Sequence, residues 1–443
     1  MKKLVKMLSV FFAILILFNI APLPGYAESE EEEAYTIKGG VLTFKDGLEV
    51  IDRYSLNYFS MLVTITEVVI PDSVRIIGED AFLGCETIKS VRMGSGIEEI
   101  GDAAFYACVA LTEVTVPGNA TRIGDMAFYG CSALERITLL EGVKRIEYRA
   151  FSECAALISV NIPGSVEYIS PDAFRGCTAL EGITVAESNP VYRAQGDCLI
   201  DTTSKTLVIG FNRSVIPDNG IVTAIGDGAF EGCAGLTTIS IPNCVRSIGN
   251  NAFLDCSGLV SVDIAGSVTS IGTAAFYCAG LTGELIIPGS VTSIGESAFY
   301  GCSGLTSVTI GDGVTTISRA MFKGCTGLKS ITIPKTVTFI TMEAFDGCDD
   351  LVMRVYEFSY GWQYAFQHRV PYELIVDAPQ KGDPDGDGKI TVADALIALR
   401  VAAKLAEPTS ELLACCDIDG DGDISVADAL SILRVAAKLV DSL

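Results

Sequence analysis

Histidine and tryptophan are nearly missing from this 443-residue chain, which has one of each, His368 and Trp362. A single histidine excludes zinc sites built on paired histidines. No Gly-x-Ser-x-Gly elbow or phosphate-binding glycine loop is present either. Basic residues are scarce, 31 Lys and Arg against 55 Asp and Glu, and the net charge is −24. Such a chain lacks the basic patch that a phosphate backbone needs, so nucleic acid is excluded as a partner. Long apolar runs are scarce too. One, Leu8 to Ile20, follows Lys2, Lys3 and Lys6 and precedes Gly25, Tyr26 and Ala27. It is shorter than a membrane span and reads as a secretory signal over 1–27, cut before Glu28. The expectation is therefore a secreted, extracellular protein with no membrane span after signal removal, opening on an acidic, solvated stretch (Glu28, Glu30 to Glu33).

Cysteine, by contrast, is plentiful. In an exported chain, 15 Cys suggest a disulfide framework, but their spacing argues otherwise. A phenylalanine recurs at Phe82, Phe105, Phe128, Phe151 and Phe174, then at Phe230, Phe253, Phe276, Phe299, Phe322 and Phe345. Every step is 23 residues except the middle one of 56. Each is followed by a cysteine: Cys85, Cys108, Cys131, Cys154, Cys177, Cys233, Cys256, Cys278, Cys302, Cys325 and Cys348. Eleven equivalent positions, an odd number, cannot all pair with one another. They read as one small apolar position repeated, with the thiols buried and reduced. Cys198, Cys244, Cys415 and Cys416 stand outside the series, and the last two read as packing residues, with vicinal or intermolecular bonding as the alternative.

Each unit contains a short alternating stretch such as Leu305-x-x-Val308-x-Ile310. This is one strand, with Val and Ile inward and Thr outward. Proline (Pro163, Pro242, Pro288, Pro334) ends the strand, Val291 and Ile294 start the return, and Ala-Phe-x-x-Cys closes the far side. So short a period excludes a long helix. Each coil should stack about 5 Å from the next, and no coil can bury its apolar face alone, so the fold exists only as a stack. The unit around Phe276 has lost the glycine before its cysteine, yet Phe299 arrives on time. A small bulge at Gly283 or Glu284 should restore the register.

This pattern resembles the BspA-type (Treponema pallidum-type) leucine-rich repeat from about Ile65 to Val376. The resemblance implies a solenoid of short strands joined by turns or short helices. The expected division is a signal peptide 1–27, an acidic start and irregular N-terminal cap 28–63, repeats 64–350, and a C-terminal cap 351–377 carrying Trp362 and His368. Trp362 fits a cap core, with a sugar-stacking platform as the other reading. The long step near 178–229 should carry a hairpin around Asp201 to Lys205. Tyr192, Arg193, Asn212 and Arg213 belong there, to a binding bulge or to a locally elaborated coil.

The outward residues Arg92, Thr115, Thr138, Asn161, Thr184, Ser240, Asp263, Thr309 and Thr332 should form an exposed stripe, a surface of the kind such arrays offer to protein or glycan ligands. Tyr106, Tyr129, Tyr277 and Tyr300 form a second stripe, either contact residues or edge packing. Acids such as Glu113, Glu135 and Asp263 occupy variable outer positions and read as a solubilising face rather than as glycosidase carboxylates. No enzyme constellation emerges.

The remaining chemistry lies in the tail. A 12-residue phrase starting at Asp383 recurs 34 residues later at Asp417. Each copy has Asp at positions 1, 3, 5 and 12 and Gly at 6, a set that supplies oxygens to calcium around a sharp turn. The expected ligands are Asp383, Asp385, Asp387 and Asp394, with the Lys389 carbonyl and Thr391 acting through water. In the second copy they are Asp417, Asp419, Asp421 and Asp428, with the Asp423 carbonyl and Ser425. Two Ca2+ are expected. Position 12 is Asp rather than the Glu of an EF-hand, and one amphipathic helix follows each loop.

This duplication resembles a type I dockerin over 382–443, after a linker 378–381. The resemblance implies a small all-α module and a cohesin module of a scaffoldin as partner. It places the contacts at Val392, Ala393, Arg400 and Lys404, mirrored by Val426, Ala427, Arg434 and Lys438. The apolar Val-Ala pairs replace the Ser-Thr-like pairs of many dockerins, which implies a different cohesin specificity. The near-identity of the two copies implies two binding poses. The whole chain then reads as a non-catalytic, secreted component of a cellulosome-like assembly, whose solenoid meets a polysaccharide or a cell-surface protein. A surface adhesin is the alternative, and an unrecognised polysaccharide-active enzyme stands behind it.

Overall fold

The computed structural model describes residues 34–55, 64–375, 380–386 and 389–438. The expected signal peptide, part of the N-terminal cap, Asp387 and part of the linker lie outside the described residues. The chain divides into two compact units, 1–193 and 194–443.

In the first unit, parallel strands Glu67–Val69, Ser90–Arg92, Glu113–Val116, Arg136–Leu139, Ser159–Ile162 and Gly182–Val185 follow one another in a single sheet. Equivalent residues pair 23 apart, as Thr115 with Thr138 and Asn161 with Thr184. Within each strand the burial alternates; Val160 and Ile162 are buried while Ser159 and Asn161 are exposed. A second parallel sheet of two-residue strands, from Val50–Ile51 to Tyr168–Ile169, forms another side of the coil. The sequence pattern marked that side only as a return, because two residues are too short to show alternation.

The third side, Ala-Phe-x-x-Cys, has no helix. Alternate amides do two jobs there. The Ala103, Phe105 and Ala107 N–H groups donate to Asp125, Ala127 and Tyr129 carbonyls one coil on, at 2.7–2.8 Å, while those of Tyr106 and Cys108 close tight turns at 3.1–3.2 Å. Both backbone needs are met without a regular element. This geometry puts the residue two after each Phe in the left-handed region. Glycine fills it at Gly84, Gly130, Gly176, Gly232, Gly301, Gly324 and Gly347, and other residues at Ala107, Glu153, Asp255 and Cys278.

Cys278 is therefore not a member of the thiol ladder, contrary to expectation. It occupies the left-handed position (φ +52°), and buried Ala279 fills the ladder site. The chain is one residue short there, and the register shifts between Gly283 and Glu284, where the bulge was expected.

The true ladder is largely buried, though Cys85 and Cys233 are half-buried rather than enclosed as expected. The Cys108, Cys131, Cys154 and Cys177 thiols donate to the carbonyls of Phe82, Phe105, Phe128 and Phe151 at 3.1–3.3 Å. All 15 cysteines are unpaired. Burial pushes the Cys131 thiol up to about 12, so it stays protonated and inert. The phenylalanines stack at coil spacing, with centroids 5.0–5.5 Å apart from Phe82 to Phe174.

The expected irregular N-terminal cap is, where described, a β-hairpin. Tyr35–Lys38 runs antiparallel to Val41–Phe44, which pairs parallel with Glu67–Val69. Tyr192 is buried, and its hydroxyl accepts from the Ile169 N–H at 2.9 Å. It belongs to the core and not to a binding bulge.

In the second unit the expected hairpin is present, Cys198–Asp201 against Thr206–Gly210. Regular coils resume, with strands Thr238–Ile241 and Ser261–Ile264 in one sheet and Thr282–Ile287, Gly304–Ile310, Ser330–Thr332 and Val352–Tyr356 in another. A phenylalanine stack runs here too, from Phe230 to Phe345 at 4.9–5.9 Å. Helix α1 (Tyr360–His368) and strand Tyr372–Ile375 close the array. The Ser359 hydroxyl caps α1 by accepting from the Trp362 N–H (3.2 Å). Half-buried Trp362 lies against the core, between Phe358 and Phe366, and the His368 ring meets that of Tyr364 at a tilt, with centroids 4.3 Å apart. Three further helices follow: α2 (Val392–Ala402), α3 (Ser410–Cys416) and α4 (Val426–Ala436). No helix among the described residues is long and apolar enough to cross a membrane.

Because Phe128 is wholly buried between two ring neighbours, Phe128→Ala should lower the unfolding free energy by about 3–5 kcal/mol. Exposed Thr138→Ala should stay within about 0.5 kcal/mol. Urea unfolding of the two variants checks both.

Candidate calcium and docking site

Both loops fold around their first aspartate. Asp383 Oδ1 accepts the Gly386 N–H at 2.9 Å. Asp417 Oδ1 accepts from Gly420 (2.7 Å) and Asp421 (3.1 Å), and its Oδ2 from Gly422 (2.9 Å). Gly422, at loop position 6, has φ +91°, the sharp turn that excludes a side chain there. Position 12 of each loop is also the third residue of the helix that follows. Thr391 and Asp394 form a reciprocal capping box on α2, and Ser425 and Asp428 form one on α4. One residue thus ends a loop and starts a helix.

The carboxylates converge. Ligand oxygens of Asp383, Asp385 and Asp394 lie within 4.8 Å of one another, and so do those of Asp417, Asp419 and Asp428. Asp394 is fully buried; its Oδ2 accepts the Thr391 N–H (2.7 Å) and hydroxyl (2.9 Å), but its Oδ1 is buried without a partner. A buried carboxylate oxygen left unmatched beside two more carboxylates suits a hard cation. Asp428 is more fully bonded, by the Ile418 N–H (2.8 Å), the Asp419 N–H (3.3 Å) and the Ser425 hydroxyl (2.7 Å).

Of the expected ligands, these six are brought together. Asp387 lies outside the described residues. Asp421 accepts from the Asp423 N–H (2.9 Å) and stands apart from its trio; Asp423 is exposed and accepts from the Ile424 N–H. The Thr391 and Ser425 hydroxyls donate to Asp394 and Asp428. Lys389 is exposed.

Helices α2 and α4 pack through Ala395, Ala398 and Val401 on one side and Ala429 and Ile432 on the other. Beyond this seam runs an apolar groove of about 300 Å3, lined by Val392, Ala395, Leu396 and Leu399 and by Val426, Ala429, Leu430 and Leu433. Each lining residue has its counterpart 34 positions away. Val392 and Val426 are 63% and 61% exposed. Ala393, Arg400, Lys404, Ala427, Arg434 and Lys438 are all exposed as well.

The model of the BspA type leucine rich repeat region matches residues 51–181 and 223–352, in six copies. The chain belongs to the BspA-type leucine-rich repeat family. The model of the dockerin type I domain matches residues 381–434, so the tail is a type I dockerin, a calcium-binding module type. The gap between the two repeat matches holds the hairpin-bearing coil. Among solved structures, the pneumococcal vaccine antigen PcpA is similar over 77% of this chain and 96% of its own, at 18% identity and a TM-score of 0.62. A leucine-rich repeat protein from Bacteroides ovatus is similar over 77% of this chain and 97% of its own, at 27% identity and a TM-score of 0.50. No curated protein matches the chain. Repeat solenoids of this kind and dockerins are non-catalytic domain types, and no catalytic domain is found.

Helix α3 of the dockerin escaped sequence reasoning. Its signal was present, Pro408 and Thr409 before Ser410, with the Thr409 hydroxyl accepting from the Leu412 N–H at 3.2 Å, but seven residues show too little periodicity. On the repeats, Arg92, Thr115, Thr138, Asn161, Thr184, Ser240 and Asp263 are exposed, while Thr309 and Thr332 are half-buried. Ile286, 59% exposed and paired in register with Thr309, belongs to the same stripe and was missed because the bulge hid its alignment. Tyr106 stacks on Tyr129 (5.0 Å) and Tyr277 on Tyr300 (4.5 Å), all half-buried.

Burial by itself would raise Asp428, but hydrogen bonds from the Ser425 hydroxyl and N–H and from the Ile418 and Asp419 N–H groups outweigh it, and its carboxyl lies below the usual range. A depressed folded-state value stabilises above the unfolded value, about 3.9, and that contribution is lost as pH falls through the folded one. The dockerin should lose helical signal on acidification below about pH 4. Asp428→Asn should flatten that profile, as followed by circular dichroism.

Proposed function

We propose that this is a secreted, non-catalytic component that docks by its calcium-dependent dockerin onto a cohesin module of a scaffoldin, in a cellulosome-like assembly, while its solenoid presents a recognition surface to a protein or glycan. The observation that carries the reading is the duplicated face: two acidic loops, each seating one helix, and between those helices an apolar groove whose two halves repeat 34 residues apart. Secretion rests on the basic, apolar and small-residue order of 1–27.

In this reading one calcium ion is held by Asp383, Asp385, Asp387 and Asp394 with Lys389 and Thr391, and a second by Asp417, Asp419, Asp421 and Asp428 with Asp423 and Ser425. The ion supplies positive charge that offsets the repulsion among each loop's carboxylates. The protein does the rest. Asp394 and Asp428 carry loop closure into α2 and α4 through the capping boxes, and this sets the two groove walls. Chelation should therefore unfold the dockerin, and Asp394→Asn with Asp428→Asn should abolish calcium uptake, which would otherwise reach two ions per chain by calorimetry.

Val392 and Val426 with Ala393 and Ala427 give the groove ends an apolar character. They favour a cohesin that meets them with side-chain carbon rather than with hydrogen-bonding groups. Arg400 and Lys404, or Arg434 and Lys438, supply the charged contacts. Because the two sets are equivalent, Arg400→Ala with Lys404→Ala should leave cohesin affinity within about tenfold, and only removal of both sets should abolish binding. Loss of binding on removal of one set, in a cohesin titration, would show a single pose.

On the solenoid, the outward strand residues of each unit, Arg92 to Thr184 in the first and Ser240 to Thr332 with Ile286 in the second, are the proposed recognition surface. It is rich in hydroxyl and amide groups and poor in aromatic rings, a composition that favours a protein ligand over a polysaccharide chain.

A further inference from the structure

Cys415 and Cys416 end helix α3 and are 1% and 0% exposed. Their sulfurs lie 3.8 Å apart. The pair is enclosed by Ala395, Ala398 and Val401 from α2 and by Ile424, Ala429 and Ile432 from the second half. It also joins the two loops. The Cys415 carbonyl accepts the N–H of Gly382 (2.7 Å), the residue before Asp383, and Asp417 follows Cys416 directly. Anything that alters the backbone at 415–416 thus alters the first residue of both calcium loops.

Neighbouring α-carbons on a trans chain are 3.8 Å apart, while a relaxed disulfide spans about 4.4–6.8 Å between them. A bond between these two sulfurs therefore forces the intervening peptide out of helical geometry. The folded α3 holds the sulfurs close, yet keeps them from bonding and from any reagent. With the loops empty, carboxylate repulsion loosens the module, and a seven-residue helix does not persist without its packing. The constraint then disappears.

We propose that Cys415–Cys416 is an oxidation site guarded by calcium: the calcium-loaded dockerin keeps both thiols, and the calcium-free one is oxidised by a low-molecular-weight disulfide to a vicinal disulfide that stops α3 from re-forming. One thiolate attacks the reagent's sulfur and releases one reagent thiol. The neighbouring thiolate then attacks the mixed disulfide and releases the second. Two S–H bonds and one S–S bond are broken; one S–S bond forms in the chain, and two electrons and two protons leave on the reagent. The proposal rests on the reading that calcium folds the tail.

The test uses the full chain and oxidised glutathione, in calcium or in chelator, with the peptide containing both cysteines weighed at intervals. In chelator that peptide should become lighter by two hydrogens. In calcium a hundredfold above its Kd, oxidation should be about 100-fold slower. The oxidised chain should regain helical signal on calcium addition only after reduction, whereas Cys415→Ala with Cys416→Ala should regain it whatever the oxidant treatment. Equal oxidation in both conditions, glutathione left attached to one cysteine, or calcium-driven refolding with the bond intact each overturns the proposal while the calcium reading stands. Absence of calcium uptake by the reduced chain, measured by calorimetry, overturns both.

Discussion

A 23-residue coil cannot close a core by itself, and nearly everything in the repeat array follows from that constraint. Val, Ile and Leu of one coil are covered by their equivalents in the next, and a Phe ring inside a run has its own kind above and below, as Phe128 has Phe105 and Phe151 at 5.1 and 5.3 Å. The same stacking solves the backbone's problem. Two sides pair as parallel sheet, and on the third alternate amides reach one coil on. A ladder cysteine such as Cys108 or Cys177 fits because it is small and apolar and because its thiol finds a carbonyl in the coil before. Most of these thiols are enclosed by the stack, and none of them is paired.

The dockerin depends on a different economy of parts. Each position-12 aspartate serves its loop and its helix at once, so loop order and helix order are coupled. The groove between α2 and α4 inherits that coupling, since both walls are anchored at those aspartates. The vicinal cysteines lie where the two halves meet, which makes them the point at which redox chemistry and calcium occupancy touch the same backbone.

Much of this was legible in the chain. The Phe ruler, the inward Val and Ile, the bulge near Gly283, the hairpin at Asp201 to Lys205 and the doubled acidic loops are all periodic or local signals. What was misread fell where periodicity fails. Cys278 looked like a ladder member because it is a cysteine near the right place; only the left-handed backbone shows that Ala279 holds the site. The two-residue strands, the N-terminal hairpin and helix α3 are too short for a sequence pattern to mark. For Tyr192 the chain allowed a binding bulge or a locally elaborated coil, and its burial decides for the coil.

Sequence alone determined the repeat length, the identity of the stacked residues and the doubled acidic loops, because each is written in side chains at fixed intervals. The tertiary structure alone decided which alternate residue faces solvent after the bulge, which oxygen of Asp394 is left unmatched, and that Val392, Leu396 and Leu399 meet Val426, Leu430 and Leu433 across one groove. Those outcomes depend on how distant segments pack, and spacing along a chain does not encode the distance between two helices.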